Sequence, residues 1–252
     1  MNGRFQRDGF DFAFIDEGEG EPALLIHGFA SSAKVNWIST GWTGFLQDSG
    51  YRVIAFDNRG HGDTSKSYRE GDYTPGKMAG DAAALLNHVA VGKAHVIGYS
   101  MGARIAAFMA LEAPLAVRTI TLGGLGDGLF KGSGDWDVIA AALLSETPGT
   151  ITDRRGAAFR KFADQTGSDR RALAACIARS RELVTLRQLA AIAAPALVAV
   201  GTNDDIAGSA PGLAMHMPDA IAFDIAGRDH MMAVGDRSFK KAALGFLRAH
   251  PI

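Results

Sequence analysis

The 252-residue sequence predicts an α/β domain built on a parallel sheet with helices over both faces. Short, continuous apolar runs recur along the chain, most of them ending in polar or Gly-rich loops, and helix-forming segments separate them. Continuous rather than alternating apolar strands are those of a sheet buried on both sides. The length is compatible with one such domain, and 47% hydrophobic against 21% charged residues is enough to fill its core.

In chain order, residues 10–15 form a strand ended by the turn Glu17-Gly18-Glu19-Gly20. Residues 23–26 form an apolar strand ending at His27-Gly28, and residues 42–49 read as a helix. A strand over 52–56 ends at Asp57, followed by a helix over 76–89. A strand over 94–97 runs into Gly98-Tyr99-Ser100-Met101-Gly102 and then into strong helix formers over 103–111. Strand 118–122 ends at Gly123-Gly124. Strand 196–200 ends at Gly201, and 220–225 ends at Ala226-Gly227, with helices over 208–216 and 238–249.

Residues 126–193 break this rhythm. They open on Gly126-Asp127-Gly128 and Gly132-Ser133-Gly134, a mobile-looking stretch, and continue as helices with apolar clusters at 138–144 and 183–192. They are expected to form a helical cap inserted over a core made of residues 1–125 and 194–252. A separate small domain is the alternative, but about 65 residues make a thin core of their own.

The net charge of −1 points to no nucleic-acid or polyanion partner. Cys176 is the single cysteine, so no intrachain disulfide and no cysteine-built zinc site are expected. No stretch approaches the roughly 18 apolar residues of a membrane span. The N-terminal segment, Met1 to Asp8, lacks the apolar core of a secretory signal, so a cytoplasmic location is expected. Neither a dinucleotide fingerprint nor metal-ligand spacing appears; no cofactor and no metal are expected.

The chemistry starts at Ser100. A serine between two glycines at a strand-to-helix junction is the pattern of a nucleophile elbow, which strains the serine backbone and thrusts Oγ out of the turn at a helix N-terminus. Such a hydroxyl needs a base oriented by a third group. Of seven histidines, His27, His61, His88 and His95 precede Ser100, His216 lies at a helix end and His250 near the C-terminus. His230, in the loop Gly227-Arg228-Asp229-His230 after the last strand, is left as the base. The acid should follow the penultimate strand, where Gly201-Thr202-Asn203-Asp204-Asp205 offers two carboxylates. The Gly-x-x-Asp spacing favours Asp204, with Asp205 as the alternative; Asp229 reads as a loop-bracing residue. An oxyanion hole needs two N–H donors: Met101, following the nucleophile, and Phe29, where Gly28 lets the backbone approach closely.

Taken together, His27-Gly28-Phe29, Asp57-Asn58-Arg59-Gly60-His61-Gly62, Gly98-Tyr99-Ser100-Met101-Gly102, Gly201-Thr202-Asn203-Asp204 and Gly227-Arg228-Asp229-His230 make the chain similar to α/β-hydrolases of the esterase/lipase-like group. The resemblance implies a mostly parallel eight-stranded sheet flanked by helices, with a helical cap. It implies Ser100 as nucleophile, His230 as base, Asp204 as acid, and Phe29 and Met101 as oxyanion donors. The Asp57 to Gly62 segment would shape a loop beside the site rather than react. A serine rather than an aspartate at the elbow sets the chain apart from the epoxide hydrolases and haloalkane dehalogenases of this fold.

The expected activity is hydrolysis of small apolar carboxylic esters through an acyl-enzyme. Thioesters, lactones, peracid formation and C–C cleavage use the same triad, and a non-catalytic ligand-binding receptor is the alternative of another class. Trp37, Trp136 and Met231 are the candidates for substrate contact. Trp42 and Met232 read equally well as core. Short-to-medium apolar esters are expected to be preferred over charged ones.

Overall fold

A computed structural model of the chain describes residues 2–132 and 134–252. Met1, in the N-terminal segment, and Ser133, in the Gly-rich stretch, lie outside the described residues. Eight strands, β1 (Gly3–Arg7), β2 (Phe10–Glu17), β3 (Glu21–Ile26), β4 (Tyr51–Phe56), β5 (Ala94–Tyr99), β6 (Val117–Gly123), β7 (Ala196–Gly201) and β8 (Ala220–Ile225), form one sheet in the order β1-β2-β4-β3-β5-β6-β7-β8. Strands β3 to β8 are parallel, while β2 runs antiparallel to both β1 and β4. The apolar runs account for β2 to β8. No run marks β1, whose one buried apolar residue is Phe5; it forms by pairing with β2.

The helices are α1 (Trp42–Gln47), α2 (Pro75–His88), α3 (Met101–Glu112), α4 (Gly128–Lys131), α5 (Asp137–Leu144), α6 (Arg154–Gln165), α7 (Arg170–Arg179), α8 (Leu186–Ala191), α9 (Ala210–Ala214), α10 (His230–Ala233) and α11 (Arg237–Arg248). Along β3, Leu24 and Ile26 join one core and Ala23 and Leu25 the other, the period-two alternation of a sheet covered on both faces. Helices α2, α3 and α9 pack on the first face through Met78, Leu85, Ile105, Phe108 and Leu213. Helices α1 and α11 pack on the second, where α11 buries Phe239, Ala243, Phe246 and Leu247 along one stripe. Helices α4 to α8 all lie between β6 and β7. The helix expected over 208–216 shrinks to α9, because Gly208 sits at φ +77° and the Ser209 side chain caps the turn by accepting from Gly212 N–H at 3.0 Å. Among the described residues, no helix is long and apolar enough to cross a membrane.

The loop after β4 is pinned by a buried ion pair. Arg59 Nε and Nη2 donate to Asp81 Oδ2 and Oδ1 at 2.7 and 2.6 Å, Nη1 donates to Asp72 O at 2.6 Å, and both partners' side chains are 1% exposed. The guanidinium also stacks on Phe10, 4.6 Å from the ring centre. This joins β2, the β4 loop and α2. Burial pushes the Asp81 carboxyl up, against the pull of Arg59. Removing Arg59 leaves the buried Asp81 carboxylate with only the partly exposed Arg7, whose Nη1 donates to Oδ1 at 3.0 Å, so Arg59→Met is expected to lower stability by about 3 kcal/mol. Urea unfolding checks this; the double variant with Asp81→Leu should recover a large part of the loss, and a double variant no more stable than Arg59→Met would sink it.

Candidate active site

Ser100 joins β5 directly to α3 and takes φ 55° and ψ −113°, a left-handed conformation that strains any side-chain-bearing residue. Its surroundings hold it there. Ser100 N–H donates to Gly123 O at 2.8 Å, and Ser100 O accepts from Ala103 and Arg104 N–H at 3.0 and 3.2 Å. A Cβ on Gly98 would stand 2.2 Å from Gly102 O, and one on Gly102 would stand 2.0 Å from Ile26 O. The two glycines are therefore there because β5, β3 and the first turn of α3 pass too close for a methyl group.

His230 is the first residue of α10 rather than a loop residue. Asp229 caps that turn, its Oδ1 accepting from Met231 and Met232 N–H at 3.0 and 2.8 Å. Tyr99 O–H donates to His230 O at 2.6 Å and so ties the histidine backbone to the elbow strand. His230 Nδ1–H donates to Asp204 Oδ2 at 2.8 Å, which leaves Nε2 to accept from the Ser100 hydroxyl at 3.0 Å. Asp204 Oδ1 accepts from Ile206 and Ala207 N–H, both at 2.9 Å. Burial pushes this carboxyl up, but the His230 hydrogen bond and charge and the two amides outweigh it, leaving Asp204 below the usual carboxylate range. Asp205 is exposed, and its carbonyl accepts from Arg155 Nη2 at 2.9 Å.

The segment after β3 is fixed by side chains. Gly28 N–H donates to Asn36 Oδ1 at 2.8 Å; His27 Nδ1–H donates to Gly28 O at 2.7 Å, and its Nε2 accepts from Asn58 N–H at 2.9 Å. Asp57 spans the next loop by accepting from Ala33 and Asp63 N–H, both at 2.8 Å. Among the described residues, neither Phe29 N–H nor Met101 N–H has an acceptor in the chain, and both residues line the cavity that holds Ser100.

Burial lowers His27 to about 4 and His61, whose ring lies 5.3 Å from that of His27, to about 3. Both are neutral in the fold and would charge once unfolded. Between pH 6.5 and about 4 the unfolded chain thus binds more protons, and stability falls as pH falls. His27 alone contributes on the order of 3 kcal/mol across that window. Unfolding midpoints measured from pH 7 to pH 4 should decline, with a shallower slope in His61→Gln; equal slopes in the two proteins would refute the assignment.

Two cavities are lined by Ser100, and a third is lined by His230. One of about 40 Å³ is lined by Phe29, Ser100, Met101, Arg104, Trp136 and Ile177 among others. A second, of about 190 Å³, includes Gly28, Ser100, His230 and Met231. A third, of about 740 Å³, includes Asp205, Asp229, His230 and Met231. Trp136 lines the first of these cavities and Met231 the other two. Trp37 lines none of them. It is fully buried, packed edge-on against Trp42 at 5.6 Å in the α1–α11 core, because the tight π-helical turn Lys34–Ile38 carries it beneath the sheet rather than to the rim. The expected substrate contact at Trp37 is corrected to a core role. Phe159 of α6, which carries no motif, lines all three cavities and meets Phe29 and Trp136 at 5.7 and 6.2 Å.

These elements define an α/β protein with a serine, a histidine and an aspartate in hydrogen-bonded sequence over the carboxyl ends of a parallel sheet. The sequence model describing the α/β hydrolase fold matches residues 22–155, and the chain belongs to that family. It is 30% identical over 248 residues to the dihydrolipoyllysine-residue acetyltransferase component of the acetoin cleaving system from Pseudomonas putida, a match covering 92% of this chain and 64% of that protein. The chain spans between 33% and 64% of the length of the first curated relatives it matches. Among solved structures, an esterase from Exiguobacterium antarcticum superposes with a TM-score of 0.81 at 18% identity, covering 98% of this chain and 100% of that one. A hydrolase from Pseudomonas aeruginosa gives 0.78 at 23% identity, covering 97% of each chain. At these identities the likeness is one of fold.

Proposed function

We propose that the protein is a serine hydrolase that cleaves carboxylic esters of small substrates through an acyl-enzyme. The observation that carries this reading is the pair of hydrogen bonds from Ser100 Oγ to His230 Nε2 and from His230 Nδ1 to Asp204 Oδ2. Ser100 Oγ attacks the acyl carbon as His230 Nε2 takes its proton, while Asp204 holds the ring and stabilises the imidazolium. The carbonyl oxygen, now an anion, is met by Phe29 and Met101 N–H. His230 protonates the departing alcohol, then takes a proton from water, whose oxygen attacks the acyl carbon and releases the acid.

In the same reading, residues 126–193 form a cap over a core made of 1–125 and 194–252. Its helices and loops supply Trp136, Phe159 and Ile177, which with Phe29, Leu125 and Ile206 give the nucleophile a mainly apolar ceiling. Turnover of p-nitrophenyl esters of increasing chain length, with a lactone and a thioester alongside, tests the assignment. Ester turnover with the highest kcat/KM is the expected result. A folded protein that binds a small ligand and turns over none of these esters would overturn it.

A further inference from the structure

The mainly apolar ceiling has one exception. Arg104 lies one helical turn beyond Ser100 on α3 and is 7% exposed, and it lines the small cavity with Ser100, Phe29 and Met101. Side chains on a helix tilt toward its N-terminus, which directs this one back toward the nucleophile. Among the described residues it has no carboxylate partner. Nη1 donates to Leu129 O at 3.1 Å and to Glu182 O at 2.7 Å, and Nη2 donates to Gly128 O at 3.4 Å; among the described residues, its Nε–H has no acceptor. Burial, with the neighbouring charge of Arg181, pulls the guanidinium down to about 10. Arg181 lines the same cavity. Its Nη2 donates to Asp137 Oδ1 at 2.8 Å, but its buried Nε has no partner among the described residues. Arg104 is thus a buried cation beside a second cation and, among the described residues, without a counter-ion of its own.

We propose that the acyl pocket takes substrates whose acyl group ends in a carboxylate, monoesters of short dicarboxylic acids, with Arg104 and Arg181 receiving the free carboxylate. The inference rests on the serine-esterase reading and deepens it. The direction of binding follows from the proton relay. The departing alcohol must reach His230, and His230 lines the two larger cavities but not this one. The cavity holding Arg104 is therefore on the acyl side. Its volume of about 40 Å³ has room for roughly three heavy atoms, the number in a carboxylate group, so a long chain does not fit. A carboxylate there would give Arg104 the charge-assisted hydrogen bond it lacks and would give Arg181 Nε an acceptor. This replaces the expected preference for neutral acyl chains with a preference for acids of matched length.

The test compares kcat/KM for p-nitrophenyl hemisuccinate and hemiglutarate with their neutral methyl diesters, in the wild type, Arg104→Met and Arg181→Met. The acid is expected to be the better substrate in the wild type, and the acid-to-neutral ratio is expected to fall roughly ten- to hundredfold in either variant. Arg104→Met removes three bonds to backbone carbonyls and can unfold the chain; Arg181→Met, which gives up an ion pair to the exposed Asp137, reads the same ratio. Free glutarate should also bind the wild-type protein in calorimetry, and bind at least tenfold more weakly to Arg181→Met. A ratio below one in the wild type that neither variant moves, or no glutarate binding, overturns the proposal. Absence of turnover for every ester strikes the esterase reading alone, and glutarate binding then decides the carboxylate subsite independently.

Discussion

Ser100→Ala is expected to abolish ester turnover, lowering kcat on the order of 10⁶-fold while leaving the fold in place. The size follows from what the hydroxyl does. In the proposed mechanism it forms the acyl-enzyme, and what would remain without it is catalysis by the two proposed N–H donors and substrate binding. The fold should survive because the backbone at position 100 is held by bonds that the side chain does not make, from its N–H to Gly123 O and from Ala103 and Arg104 N–H to its O. Alanine meets the same positive-φ strain as serine. The side chain's recorded bond is the one to His230 Nε2. Circular dichroism and unfolding midpoints close to the wild type, together with loss of the burst of p-nitrophenol that an accumulating acyl-enzyme gives, are the expected readouts. A variant that keeps its fold and more than about a hundredth of the activity would place the nucleophile elsewhere.

What could be read from the sequence is what local sterics impose. Gly98 and Gly102 are legible because the close approach of Gly102 O and Ile26 O leaves no room for a Cβ, so the spacing itself records the turn. The parallel strands are legible because both their faces are covered and their runs are continuous. What escaped depends on which way a side chain faces after folding. Trp37 has the composition of a rim residue and sits in the core, because a five-residue π-helical turn sets its direction. Arg104 reads as one more helix former between Ala103 and Ile105; only α4, carrying Leu129, and the loop carrying Glu182 show that it is buried beside the nucleophile. Phe159 lies on a helix of mostly charged and small residues, and nothing in its neighbours marks it as the ring that lines three cavities. Asn36, which fixes Gly28, and Tyr99, which fixes the His230 backbone, act through hydrogen bonds to segments 8 and 131 residues away. β1 has no apolar run because only its partner's bonds make it a strand.

The second large effect is expected at Asp204. Asp204→Asn should lower kcat about 10⁴-fold with little change in KM, although the replacement is nearly isosteric. The orientation of the new amide decides this. Oδ1 of Asp204 accepts from both Ile206 and Ala207 N–H at 2.9 Å, so in the asparagine variant the amide oxygen must stay on that side. The amide NH₂ is then turned toward His230 Nδ1, where the carboxylate Oδ2 accepted a hydrogen bond at 2.8 Å. Facing a donor, Nδ1 becomes the acceptor and the ring proton moves to Nε2. Nε2–H then points at Ser100 Oγ and can no longer take its proton, so the base is lost while the substrate's contacts are not. The neighbouring carboxylate is the control. Asp205 is exposed, and the hydrogen bond recorded there is accepted by its backbone carbonyl, so Asp205→Asn should change kcat by no more than about threefold on the scale of a surface substitution. Steady-state kinetics of the two variants at one pH settle the matter: comparable losses at both positions, or a loss at Asp204 confined to KM, would show that Asp204 does not orient the base.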